Sequence, residues 1–172
     1  SDKLNLRVQG CSVTPINKSK GEYMVKPSET VKAKEVKVTV TANTDGGSQS
    51  FVPIVYRLKN VPPPMASYLG KSGSFKMGLG QIKSGEFITA SLPDFLFDLK
   101  FMVTSFTMQV SAGGKVTQYK GRGNRMTPQM KSTIAKMKSG QTILIKDITY
   151  KMKGSSAPPK PMTGSLLAIE VK

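Results

Sequence analysis

Histidine and tryptophan are absent from the sequence, and Cys11 is its single cysteine. Without histidine the chain cannot form a serine–histidine triad, use a histidine as a general base or bind a metal through imidazole. One cysteine allows no disulfide within the chain and no cysteine-rich metal cluster. The Ser-x-x-Lys motif of serine–lysine mechanisms is also missing. We therefore expect no enzyme activity, no cofactor and no metal site.

Acidic residues are scarce, because 10 Asp and Glu stand against 26 Lys and Arg, for a net charge of +16. Such a charge attracts nucleic acid, acidic protein surfaces or anionic lipid head groups. Aromatic residues make up only 7% of the chain, which leaves little material for base stacking. We therefore expect no nucleic-acid partner.

Long apolar runs are missing as well, since none approaches the roughly 18 residues that a membrane span needs. No charged and then apolar leader begins the chain. The start at Ser1-Asp2 suggests a fragment, and we expect any address or membrane anchor to lie upstream of it.

The carboxylates offer no evident catalytic pair. Asp94 and Asp98 are four residues apart in a predicted strand, a separation of about 13 Å that exceeds the roughly 5–9.5 Å of glycosidase pairs. We interpret both as solvent-facing residues, and Glu86 has no evident partner in the sequence.

Gly78-Leu79-Gly80 begins like a dinucleotide-binding fingerprint, but Lys83 occupies the place of its third glycine. We therefore do not interpret this segment as a dinucleotide-binding motif.

The stretch 92–110 (LPDFLFDLKFMVTSFTMQV) alternates apolar and polar residues with a period of two, which predicts a long strand. The alternation changes phase after Thr104, where Phe106, Met108 and Val110 become the apolar positions. One extra residue near Thr104-Ser105 therefore predicts a β-bulge or a sharp bend. A short loop between two separate strands is the alternative.

Short strands separated by turn residues fill the first third of the chain. The pattern predicts strands at 4–13, 22–26, 36–41 and 51–58, which are typical of an immunoglobulin-like β-sandwich. Pro62-Pro63-Pro64 forms a stiff spacer, so we place a domain boundary there and assign 1–64 to the first domain. A proline-stiffened loop inside one domain is the alternative.

Residues 65–172 predict an antiparallel β domain with one α-helix near 128–138. The glycine turn at 112–114 predicts a hairpin, and further strands are expected at 115–120, 141–150 and 166–171. Thr127 can cap the helix, and Pro128 suits its first position. Met130, Ile134 and Met137 form an apolar stripe, which we expect to pack on the sheet rather than bind a partner.

Five basic residues are the candidates for partner binding: Lys120, Arg122, Arg125, Lys151 and Lys153. The first three lie in or beside a basic, flexible loop predicted at 121–125, and the last two follow a neighbouring strand. Residues 65–172 carry 16 Lys and Arg against 5 Asp and Glu (+11), whereas residues 1–64 carry 10 against 5 (+5). The second domain is therefore predicted to meet the more acidic partner, and a merely solvated basic surface is the alternative.

Several segments, in this order and spacing, together resemble the C-terminal part of the PorM/GldM family. They are Tyr56 to Pro64, Asp94 to Asp98 with Lys100-Phe101 and Val103 to Phe106, Gly123 to Thr127, Lys138-Ser139-Gly140 with Ile145 to Ile148, and Leu166 to Val171. Residues 1–64 also depart from the family pattern. We therefore expect the first domain to be incomplete at its N-terminus.

This resemblance implies a non-enzymatic periplasmic shaft component of the type 9 secretion system and gliding motor. It implies a homodimer whose inner-membrane anchor, an N-terminal helix outside this sequence, meets the motor subunit. The last domain would dock on a ring of outer-membrane lipoprotein and periplasmic subunits and transmit motion driven by proton flow. An adhesin-like or chaperone-like sandwich that binds acidic polysaccharide or lipid through a basic face is the alternative function.

Overall fold

The computed structural model describes residues 4–28, 31–95 and 98–172. The chain divides into two compact units, Ser1–Val61 and Pro62–Lys172. Both are mainly β, with antiparallel sheets of the kind that a β-sandwich uses, which confirms the predicted fold class. The second unit also contains the helices.

Strand β4 is the centre of the first unit. The strands are β1 (Leu4–Val8), β2 (Cys11–Asn17), β3 (Glu22–Pro27), β4 (Glu35–Thr44), β5 (Gly47–Ser50) and β6 (Ile54–Arg57). β1 pairs with one side of β4, and β5 and β6 pair in succession with the other. β2 and β3 form a separate hairpin. Among the described residues of this unit, Val8 and Val36 are the buried apolar side chains, so its core is small.

Two predicted strands of the first unit are broken in the structure. The strand expected at 4–13 is split at Gly10, whose φ of +74° turns the chain between β1 and β2. The partner strand expected at 51–58 begins earlier, as β5, and is interrupted before β6. The interruption contains Pro53, which has no N–H with which to continue the ladder.

The second unit is built on a six-stranded sheet. Its elements are β7 (Met65–Tyr68), β8 (Ser74–Met77), α1 (Leu79–Ser84), β9 (Ile88–Ser91), β10 (Phe101–Ala112), β11 (Lys115–Arg122), α2 (Pro128–Ala135), β12 (Thr142–Met152), β13 (Lys160–Pro161) and β14 (Leu167–Val171). The strand order is β11-β10-β12-β14-β8, with β13 beside β12, and only the β14–β8 pair is parallel. β7 and β9 form a second, two-stranded sheet.

Helix α2 begins where the sequence predicts, because the Thr127 hydroxyl accepts a 3.3 Å hydrogen bond from the Met130 N–H. Met130, Ile134 and Met137 are all buried in the core of this unit, which confirms that the stripe packs on its own sheet. The helix ends at Ala135 with Lys136 as its C-cap, so the predicted end near 138 is wrong by about one turn. Lys138 therefore lies outside the helix.

The predicted bulge is present between β10 and β12. Val103 faces Tyr150 and Ser105 faces Thr149, so that Thr104 is the extra residue of β10. Between Ser105 and Thr107 the register shifts in the opposite sense, and there β12 carries the extra residue. Asp147 lies at this second shift with a φ of +51°. The extra residue in β10 is balanced by the extra residue in β12, so the register between the strands is restored. The apolar residues on both sides of the bulges therefore face the same core.

In the first half of the predicted central strand, the described residues 92–95 and 98–100 do not form a strand. β10 begins only at Phe101, because Pro93 and Asp94 form a turn in which Asp94 has a φ of +60°. Residues 96 and 97 lie outside the described residues. Asp94 and Asp98 are exposed, as interpreted from the sequence, but neither belongs to a strand.

The glycine-rich stretch before Gly85 contains a second helix, α1, which the prediction of one helix missed. α1 is held by Tyr68, a fully buried residue whose hydroxyl donates a 2.6 Å hydrogen bond to the carbonyl oxygen of Ile82. Burial raises the pKa of Tyr68 to about 12, so the phenol stays protonated and remains a donor.

Candidate partner-binding surface

The sheet of the second unit has one face packed on the core and one face open. Its inner face carries the buried side chains of Met108, Val110, Ile143 and Ile145, against which α2 packs. Because side chains alternate along a strand, the intervening residues form the opposite face, which we call the outer face. On β10, β11 and β12 it comprises Ser105, Thr107, Gln109, Ser111, Val116, Gln118, Lys120, Arg122, Thr142, Leu144 and Lys146.

Basic side chains flank the centre of the outer face on both sides. Thr107 lies opposite Lys120 on β11 and opposite Lys146 on β12. With strands about 4.8 Å apart, the two lysine Cα atoms are separated by about 10 Å. Thr107 lies between them and is only 7% exposed. Arg122 faces Ser105 one step further along the same strands.

Three of the five candidates, Lys120, Arg122 and Lys151, lie on this face. Lys151 is opposite Met102 near the end of β12. Lys153 follows the end of that strand, where its N–H donates a 2.8 Å hydrogen bond to the Lys100 carbonyl oxygen. Partner binding by these residues stays a prediction.

Lys146 joins the outer-face cations and was missed from the sequence. It lies at the second bulge, the one in β12, where the alternation of apolar residues changes phase. The sequence alone therefore does not show to which face of the sheet each side chain points. Asp147 is the only acidic residue in β10, β11 and β12, which are described throughout. Within the described ranges, the structure contains no ion pair for Lys120, Arg122, Lys146 or Lys151.

A cluster of hydroxyls lies at the bulge beside Arg122. The Thr149 hydroxyl oxygen is 2.7 Å from that of Thr104 and 2.6 Å from that of Ser105. Neighbouring residues of a regular strand point to opposite faces, so the bulge is what brings Thr104 and Ser105 to the same partner. This part of the outer face is therefore polar and hydrogen-bonded.

Arg125 lies away from the outer face because it is bound to Glu86. The Arg125 Nη2 atom is 3.0 Å from Glu86 Oε2, and Lys131 Nζ is 2.7 Å from Glu86 Oε1. The sequence reading that Glu86 lacks a partner is therefore wrong. The hydrogen bond from Lys131, with the charges of Lys131 and Arg125, lowers the pKa of Glu86. The Arg125 guanidinium also lies 5.6 Å from the centre of the Phe87 ring, within cation–π range.

The predicted flexible loop at 121–125 is fixed by backbone hydrogen bonds. Gly121 and Arg122 belong to β11, and the Gly123 N–H donates to the Thr104 carbonyl oxygen at 2.7 Å. Arg125 forms an isolated β-bridge with Phe87. The backbone that carries the basic side chains of this segment is therefore ordered by hydrogen bonds rather than being a mobile loop.

No three His, Cys, Asp or Glu side chains gather at a metal-binding distance within residues 4–28, 31–95 and 98–172. Across those same ranges, the helices are too short and too polar to span a bilayer.

A β-sheet with one face covered by a helix and the other open and basic defines a β-rich domain that presents a cationic surface. The family model of the GldM C-terminal domain matches residues 62–172, which are the second compact unit. The chain therefore belongs to the GldM family, as the sequence resemblance indicated, and is related to gliding motility and type 9 secretion. A comparison with curated proteins finds no match.

Proposed function

We propose that this chain is a non-enzymatic shaft component of the type 9 secretion and gliding motor. It works in the periplasm and transmits motion from the proton-driven motor in the inner membrane to the ring associated with the outer membrane. The working unit is a homodimer, held in the inner membrane by an N-terminal helix outside this sequence. Membership of the GldM family supports this assignment.

The open outer face is the observation that carries the docking part of the proposal. Its cations have no ion pair within the described ranges, so they are available to an acidic partner surface. Complementary charge speeds encounter and fixes the register of a docked pair. The partners that fit this role are the outer-membrane lipoprotein and the periplasmic ring subunits.

The packing behind that face suits a load-bearing domain. Long antiparallel strands hydrogen-bond side by side, and the core of Met130, Ile134 and their neighbours supports them from the inner face. Pro62-Pro63-Pro64 restricts backbone rotation where the second unit begins. A force applied at the outer face would therefore move the unit as a whole.

Light scattering coupled to size-exclusion chromatography tests the proposal, with the chain run alone and then mixed with the ring subunits. We expect the wild-type chain to form a larger complex with the ring subunits. The triple variant K120E/R122E/K146E should bind them with an affinity at least about tenfold lower. The matched control K83E/K136E/K138E changes the net charge equally at exposed lysines away from the outer face, and it should bind as the wild type does.

Failure of the wild-type chain to bind the ring subunits would overturn the docking role. Equal loss in both triple variants would show that net charge, rather than the outer face, drives association. Binding to an acidic polysaccharide or to anionic vesicles in place of the ring would favour the adhesin-like or chaperone-like alternative.

A further inference from the structure

Strand β11 forms one edge of the six-stranded sheet. It is eight residues long and pairs with β10 on one side. On its other side the part of the chain that the structure describes supplies no further strand. Most of its residues are exposed, the exceptions being Tyr119 and Gly121. A bare edge of this length is a template for pairing with another strand.

The hairpin turn determines which backbone groups point outward. Ala112 and Lys115 close a two-residue turn of Gly113 and Gly114, whose φ values are +56° and +77°. Such a turn makes the closing pair a hydrogen-bonded one, and hydrogen-bonded and non-hydrogen-bonded pairs then alternate along the ladder. Counted from the closing pair, Thr104 and Gly123 fall on a hydrogen-bonded position. The 2.7 Å bond from the Gly123 N–H to the Thr104 carbonyl oxygen agrees with this alternation.

Four residues of β11 therefore direct their N–H and C=O groups away from β10. They are Val116, Gln118, Lys120 and Arg122, whose partners on β10 are Ser111, Gln109, Thr107 and Ser105. The same residues place their side chains on the outer face. The open hydrogen-bonding positions and the cations of β11 thus coincide.

We propose that β11 accepts an extended acidic segment of a partner protein as an additional strand of the sheet. This inference rests on the proposed function and gives it a docking mode, β-strand addition, in which main-chain bonds supply affinity and side chains supply specificity. Lys120 and Arg122 are two residues apart on one face, so the added strand carries Asp or Glu at alternate positions facing them. Lys146, two strands away, extends the same positive surface.

The β11 edges of two copies of this chain do not fit each other. Each β11 carries three cations, Lys115, Lys120 and Arg122, and no acidic residue. Two such strands side by side would bring six positive charges together, and like charges across a strand pair destabilise it. The charge of β11 therefore selects an acidic strand and opposes self-pairing.

A proline substitution separates main-chain pairing from side-chain contact. Gln118→Pro removes an N–H that faces the free edge and leaves the bonds to β10 intact, an arrangement that edge strands tolerate. Gln118→Ala is the matched control, since it shortens the side chain and keeps the N–H. The probe is a blocked peptide of alternating valine and glutamate, with a valine–lysine peptide of equal length beside it.

We expect the glutamate peptide to bind the wild-type chain and the Q118A variant alike, and the Q118P variant at least about tenfold more weakly. In nuclear magnetic resonance, the amide protons of Val116, Gln118, Lys120 and Arg122 should exchange more slowly with the peptide bound. The lysine peptide should not bind. The double variant K120E/R122E, which leaves the backbone unchanged, should reverse the preference between the two peptides even if Q118P fails to fold.

Equal binding of the glutamate peptide to Q118P and Q118A would overturn the proposal, as would protection confined to other amides or no binding at millimolar peptide. The ring subunits are then tested with the same variants. Ring binding that Q118P leaves unchanged contradicts strand addition but keeps the shaft function. Peptide binding without ring binding contradicts the shaft function but keeps the strand-accepting edge.

Discussion

The ring of Phe106 fills the space in which a side chain at Gly121 would begin. The two residues face each other across the β10–β11 ladder, and a Cβ atom on Gly121 would stand 2.6 Å from the nearest ring atoms. Phe106 is buried in the core of the second unit. A glycine inside a strand is usually unfavourable, and here it is explained by the close approach of this ring.

Gly121→Ala should therefore destabilise the chain by about 1–3 kcal/mol, because the ring or the strand must move to admit a methyl group. Urea unfolding followed by circular dichroism measures the difference. Gly80→Ala is the control, since nothing lies within 4 Å of its Cβ position, and a helical glycine replaced by alanine should gain about 0.5–1 kcal/mol. Equal stability of G121A and the wild type would contradict the packing described.

Tyr68→Phe should also destabilise the second unit. The hydroxyl of Tyr68 donates to the carbonyl oxygen of Ile82 at 2.6 Å, and its removal leaves that acceptor with only the 3.2 Å bond from the Gly85 N–H. The expected loss in the free energy of unfolding is about 0.5–1.5 kcal/mol. Tyr56→Phe serves as the control because Tyr56 is 55% exposed, and its effect should be near zero. A Y68F variant as stable as Y56F would show that the bond contributes nothing.

Glu86 should make stability depend on pH. Its pKa is lowered from 4.5 in the folded chain, mainly by the hydrogen bond from Lys131. An acid whose pKa is lower in the folded state stabilises the fold above its unfolded pKa, and that contribution disappears as the pH falls through the folded value. Glu86→Gln should thus destabilise the chain at neutral pH and have less effect below pH 4.5.

Urea unfolding of wild type and E86Q at neutral pH and at about pH 3, below the ordinary glutamate pKa, measures this difference. In a Lys131→Met background the same change should cost less at neutral pH, since the principal cause of the lowered pKa is gone. A deficit of equal size at both pH values would refute the role assigned to Glu86.

Thr149→Val tests the hydroxyl cluster at the bulge. The Thr104 and Ser105 hydroxyls both lose the partner that they share, so the fold should lose about 0.5–1.5 kcal/mol for each hydrogen bond removed. Thr117→Val is the control, because Thr117 is an exposed residue of the edge strand and should change stability by less than about 0.5 kcal/mol. Comparable losses in the two variants would mean that the cluster is not a stabilising element.

The parts of the fold that follow from local signals were predictable. The phase change at Thr104, the glycine turn after Ala112 and the cap at Thr127 each depend on residues within a few positions of one another. The short elements β7, β8 and α1 give no such signal. Tyr68 fixes α1 through bonds to residues 14 and 17 positions away, where no periodicity shows.

The candidate surface was predictable only in part for the same reason. Alternation along β11 places Lys120 and Arg122 together, so a sequence pattern finds them. Glu86 binds Arg125 and Lys131 at separations of 39 and 45 residues, which removes Arg125 from the surface without any local sign. Lys146 joins the surface through a bulge whose facing depends on the register with β10.

The parallel pairing of β8 with β14 has a consequence for how the chain folds. Lys76 and Glu170, which form an ion pair across these two strands, are separated by 94 residues. Closing so long a loop carries an entropic cost before any contact repays it, and such non-local pairings slow folding. We expect the hairpin of β10 and β11 to form early and the β8 edge to assemble last. Until β8 pairs with it, the apolar face of β14 would stay exposed and prone to aggregation in the newly made domain.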